Sequence, residues 1–73
     1  MIVQGEYLMT YFELLQALKP YHVFIYTGDK QGDLDLIEEE VKELRRLGLV
    51  DQPFFRDAMV TLAKERHTLK HKG

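Results

Sequence analysis

Leu34, Ile37, Val41 and Leu44 recur at the three- and four-residue intervals of one helix face, and this stripe anchors the reading of the chain. Asp29 or Asp33 suits the N-cap of that helix, and Gly48 stands where a left-handed residue commonly ends one. Asp33, Asp35, Glu38, Glu39 and Glu40 crowd its first turns and Arg45 and Arg46 its last, an order that follows the helix dipole. Leu36 and Leu47 fall on a second flank, which predicts contact with two neighbours. Upstream, Thr10-Tyr11-Phe12-Glu13 spells a capping box. Phe12, Leu15 and Leu18, with Tyr11 and Leu14 alongside, form an apolar face, and Pro20 stops it, so a first helix over 11–19 is predicted. Downstream, Asp51 can cap a third helix that tolerates Pro53 in its first turn. Phe55, Ala58, Met59 and Leu62 mark its buried face. Arg66 and Leu69 continue that face, so core contact is expected to weaken there and the last turn or two to protrude and fray.

Tyr21-His22-Val23-Phe24-Ile25-Tyr26 has the β-branched and aromatic composition of a strand. It has no partner strand elsewhere in the chain, and a lone strand leaves its backbone unpaired. An extended, partly buried connection is expected instead, with Phe24 and Tyr26 on one side and Val23 and Ile25 on the other. Thr27-Gly28-Asp29 reads as a turn into the second helix. The expected fold class is therefore all-α, a small three-helix bundle with an extended connection between helices 1 and 2. An N-terminal extension occupies 1–9, the three-helix domain 10–66 and a basic tail 67–73.

Seventy-three residues, 45% of them apolar and 30% charged, suit a single folded domain with a small core. Cysteine is absent, which excludes a disulfide scaffold, a thiolate zinc site and a cysteine nucleophile; serine is absent too, which excludes a Ser-His-Asp triad. A net charge of −2 argues against a dedicated duplex-DNA binder. The charge is uneven, however. Residues 64–73 set Lys64, Arg66, Lys70 and Lys72 against Glu65 alone, on an otherwise acidic body. No apolar run approaches the ~20 residues of a membrane span, and no basic-then-apolar leader opens the chain, so a cytoplasmic location is expected.

The run Phe24-Ile25-Tyr26-Thr27-Gly28-Asp29-Lys30, then Asp33-Leu34 and Glu40-Val41-Lys42-Glu43-Leu44, resembles the YqgQ-like family of small bacterial proteins. The resemblance continues through Gly48-Leu49-Val50, Phe55, Ala58 and Leu62, and covers roughly 9–62. It implies a three-helix fold and an ability to bind single-stranded nucleic acid. Two departures stand out. His22 occupies a position where many members have glycine, and Lys30 one where arginine is common, which keeps the charge but loses the planar fork suited to phosphate.

Several constellations suggest chemistry and are better explained by structure. Asp29, Asp33 and Glu40 have the spacing of a calcium loop, but Leu34 stands where such a loop needs glycine, and a capped acidic helix start accounts for the same residues. Gly28 and Gly32 flank Lys30 without the Gly-Lys-Ser/Thr of a phosphate loop. His67 and His71 share a helix face as zinc ligands do, yet no third ligand is evident, so no metal is expected. Arg56, Lys64, His67 and His71 fall within about 80° of one helix face, a basic stripe that can follow a phosphate backbone. Tyr21 and Tyr26 can stack on bases if exposed. On the second helix Lys42 follows Glu38 by four and Arg46 follows Glu43 by three, so those cations are expected to be neutralised locally.

The reading that follows is a small non-enzymatic protein that binds single-stranded nucleic acid weakly through the basic face of helix 3. Lys30, Arg56, Lys64, His67 and Tyr26 are the candidate residues. The alternative is a protein-interaction adaptor, or a self-associating subunit, that uses exposed apolar groups such as Leu36, Leu47, Phe54 and Val60. Neither cofactor nor small-molecule substrate is expected. An enzyme is the remaining reading, with only His22 and Asp29 as a conceivable pair in a body too small for a water-excluding cleft.

Overall fold

A computed structural model describes residues 9–72, and side chains as far as Lys70. Three helices follow one another: α1 (Tyr11–Leu18), α2 (Lys30–Arg46) and α3 (Gln52–Lys72), with a single 3-10 turn, Lys19–Tyr21, directly after α1. The backbones of α1 and α2 each pack on α3, which makes the last helix the spine of the bundle. The core is Leu14 and Leu18 of α1, Leu34, Ile37, Val41 and Leu44 of α2, and Ala58 and Leu62 of α3. No strand occurs among the described residues.

Local sequence sets each helix start. The Thr10 hydroxyl accepts from the Glu13 amide at 3.0 Å, and the Glu13 carboxylate accepts from the Thr10 amide at 2.9 Å, so the capping box forms in both directions. Asp29 caps α2 by accepting from the Gly32 amide at 3.1 Å, and Asp51 caps α3 by accepting from the Phe54 amide at 3.0 Å.

The end of α2 is a Schellman motif. The Gly48 amide donates to the Arg45 carbonyl and the Leu49 amide to the Leu44 carbonyl, with Gly48 at φ +76°. The turn that closes α1 repeats this pattern. The His22 amide donates to the Lys19 carbonyl at 2.9 Å and the Val23 amide to the Leu18 carbonyl at 3.4 Å, with His22 at φ +62°. His22 thus fills the left-handed position that glycine fills at Gly48, a conformation that suits glycine better than a residue with a Cβ.

Beyond His22 the chain runs to Thr27 as a connection that pairs with no strand among the described residues, as expected. Val23 and Ile25 pack against the core while Phe24 and Tyr26 face solvent. The Tyr21 hydroxyl donates to the Leu49 carbonyl at 3.3 Å and the Thr27 amide to Asp33, so the segment runs antiparallel along α2.

Three expectations are corrected. Phe12 is not a core residue: it is 67% exposed, because the inward face of α1 is set by Leu14 and Leu18, with Tyr11 and Leu15 beside them. Leu36 and Leu47 do not meet a second helix but stand exposed, since the connection and not α1 lies along that side of α2. The last turns of α3, expected to fray, stay helical to Lys72, with Leu69 packed on the core and Arg66 paired to α2. The extension before Met9 and the side chain of His71 lie outside the described residues.

Candidate nucleic-acid interface

Five positions were singled out by their chemistry, and the fold treats them differently. Lys30 opens α2 and points at α3. Its ammonium pairs with the Glu65 carboxylate at 3.1 Å and sits 4.6 Å from the centre of the Tyr11 ring, a cation–π contact that links all three helices. The Tyr11 hydroxyl is held above its ordinary pKa, chiefly by burial and then by the carboxylates of Asp33 and Glu65, with Tyr26 contributing as well. Tyr26, four residues before Lys30 on the connection, is 76% exposed. Glu65 spends its charge on Lys30 instead of opposing the cations around it on α3.

Arg56 lies toward the start of α3 and its guanidinium pairs with the adjacent Asp57 at 3.2 Å. Lys64 and His67 are exposed on the outward side of α3, and Lys70 joins them one turn on. Eleven residues separate Arg56 from His67, about 16 Å along the axis at 1.5 Å per residue. His67 and Lys70 border a shallow depression with Gln31, Ala63 and Arg66, at the junction of α3 with the start of α2. The structure thus brings Lys30, His67 and Lys70 to one end of the bundle and leaves Arg56 at the other.

Arg66 was expected only to mark the weakening of the core. It instead bridges two carboxylates of α2, Asp35 at 2.8 Å and Glu38 at 2.7 Å. Lys42 completes the group at 3.0 Å from Glu38, and these hydrogen bonds, with the nearby charges, hold the Glu38 carboxyl below its ordinary pKa. Arg46 pairs with Glu43, as the spacing predicts. Sequence periodicity did not reveal the Arg66 bridge, because its partners lie on a different helix that only the packed bundle brings alongside. Thr61 was also missed: it is 3% exposed, with its hydroxyl 2.9 Å from the Met9 carbonyl and 2.8 Å from that of Asp57.

The acidic start of α2 is a capped turn. Asp29 is committed to the Gly32 amide, and Asp33 accepts from both the amide and the hydroxyl of Thr27. No cluster of three or more His, Asp or Glu side chains suited to a metal occurs among the described residues, and no helix is long and apolar enough to cross a membrane.

The residues that carry the sequence resemblance include the Thr27–Asp33 turn, the Gly48 helix end and the core positions Leu34, Val41, Leu44, Ala58 and Leu62. The YqgQ-like family profile matches residues 8–68. The chain belongs to the YqgQ-like family. No curated protein and no solved structure matches it significantly. In this YqgQ-like protein the most distinctive stretch, Ile25 to Asp29, serves as a built turn: Gly28 takes φ +90°, Thr27 anchors to Asp33 and Asp29 caps α2. Lys30 acts here as a point charge between Glu65 and the Tyr11 ring.

Proposed function

We propose that this YqgQ-like protein is a cytoplasmic, non-enzymatic binder of single-stranded nucleic acid, weak and largely indifferent to sequence, that takes the strand along the outward side of α3. One observation carries the reading. Between Ala58 and Lys70 the only acid on α3 is Glu65, and it pairs with Lys30, so Lys64, His67 and Lys70 stand exposed along a stretch of helix whose single acid is already engaged. Such a stripe attracts a phosphate backbone by releasing counterions, without reading bases. The exposed ring of Tyr26, at the Lys30 end of the bundle, supplies a stacking surface of the kind single strands use. Arg56, occupied by Asp57, extends the track without anchoring it.

Fluorescence polarisation with a labelled oligothymidylate tests this. About three phosphate contacts on a single strand give a log–log slope of binding constant against salt of about −2. Lys64→Glu with Lys70→Glu should remove binding while the circular dichroism spectrum is unchanged. Absence of binding at low salt sinks the proposal.

A further inference from the structure

The opposite chemistry occupies the outward side of α2. Leu36 and Leu47, eleven residues apart, lie on one stripe of the helix, and Glu40 and Glu43 fall between them on that same stripe with Glu39 at its edge. Leu36 is 47% and Leu47 54% exposed, large apolar groups that a monomer gains nothing by presenting to water. The extended connection runs antiparallel along this side. Glu40 lines a depression of about 220 Å³ with Val23, Phe24 and Ile25, and Phe24 stands 60% exposed at its rim. Phe24, Leu36 and Leu47 are thus apolar points around a row of acids. Among the described residues the cations bordering that side are already matched, Arg46 to Glu43 and Lys42 to Glu38, so Glu39 and Glu40 keep the surface net negative.

We infer that this face is a docking site for a basic amphipathic helix of another protein, one with apolar side chains on one edge and lysine or arginine beside them. The charge decides among occupants. A nucleic acid or an anionic lipid surface is repelled by Glu39 and Glu40, and a second copy presenting the same face across a two-fold axis would set acid on acid. Leu36 and Leu47 are about 16 Å apart along the axis at 1.5 Å per residue, a span that three turns of a partner helix cover. Apolar anchors flanked by charges of one sign are how a groove selects an amphipathic helix of the opposite sign. The chain would then join two partners, a nucleic-acid strand on α3 and a basic protein segment on α2, through faces that do not overlap.

The test uses the whole protein and two synthetic 16-residue amphipathic peptides, leucine on one side and either lysine or glutamate on the other, followed by isothermal titration calorimetry. The lysine peptide should bind at least tenfold more tightly than the glutamate peptide. Leu36→Ser with Leu47→Ser, both at exposed positions, should weaken it tenfold or more. Glu39→Lys with Glu40→Lys should abolish or reverse the preference. Lys64→Glu with Lys70→Glu, which removes nucleic-acid binding under the preceding reading, should leave peptide affinity unchanged, so the two readings fail independently. Equal affinity for both peptides, no binding up to millimolar concentration, or a serine variant as tight as the parent overturns the proposal. So does a dimer in sedimentation that the serine variant loses while the lysine peptide fails to bind, because the face would then belong to a second copy.

Discussion

Thr27 donates its backbone amide, at 2.8 Å, and its hydroxyl, at 2.6 Å, to the same carboxylate oxygen of Asp33. That pair closes the turn through which the extended connection enters α2, while Asp29 caps the helix from the other side. The acids at the start of α2 are thereby accounted for as structural, and the helix end is filled by carboxylates of its own. A phosphate arriving there would meet two negative charges.

The Thr27 bonds hold the Asp33 carboxyl below its ordinary pKa. The folded state therefore binds this proton less tightly than the unfolded chain, so the contribution is fully present above the unfolded pKa of about 4 and is lost as pH falls through the lower folded value. Glu38 and Glu43 are shifted in the same direction by Lys42, Arg66 and Arg46. Urea denaturation from pH 6 to pH 2.5 should show stability falling through the acid range. Thr27→Val should flatten part of that slope and leave the neutral-pH fold intact.

The matched ends at His22 and Gly48 make opposite predictions. At His22 a side chain sits in the left-handed region at a cost of order 1 kcal/mol, so His22→Gly should stabilise the protein by about 0.5–1 kcal/mol even though glycine loosens the unfolded chain. At Gly48 nothing lies within 4 Å of an added Cβ, so Gly48→Ala should destabilise by about 1 kcal/mol through backbone conformation alone. Thermal unfolding of both variants checks the pair; a destabilised His22→Gly would contradict the shared geometry.

Burial separates two residues that look alike in sequence. Ile37 is fully buried, so Ile37→Ala should cost about 2–5 kcal/mol, enough to unfold much of a domain this small. Phe12 is 67% exposed, and Phe12→Ser should change stability by less than about 0.5 kcal/mol. Chemical denaturation of the two proteins is the measurement.

Arg66 holds α3 to α2 through Asp35 and Glu38, with its own side chain 28% exposed. Arg66→Ala should cost about 1 kcal/mol and increase amide exchange in the last turns of α3. Lys30→Ala, whose partner Glu65 is matched by a second contact to Tyr11, should free Glu65 beside the basic stripe and weaken oligonucleotide binding. An unchanged titration for Lys30→Ala would separate that charge from the interface.

Local rules were sufficient for much of this protein. The caps at Thr10, Asp29 and Asp51, the stop at Gly48 and the Leu34–Leu44 stripe act within a few residues of themselves, so the chain alone determines three helices and where they begin. The refusal of Tyr21–Tyr26 to form a sheet was also legible, from the lack of any partner strand. Other features needed the assembled bundle. Phe12 and Leu14 are equally apolar, and only packing on α3 turns one inward and leaves the other in water. Lys30 finds Glu65, and Arg66 finds Asp35 and Glu38, across 28 to 35 positions of chain that no periodicity relates. Whether a cation is spent on an internal acid or left outward for a partner is a question of distance in space. That is why the sequence named the candidate residues and the tertiary structure sorted them.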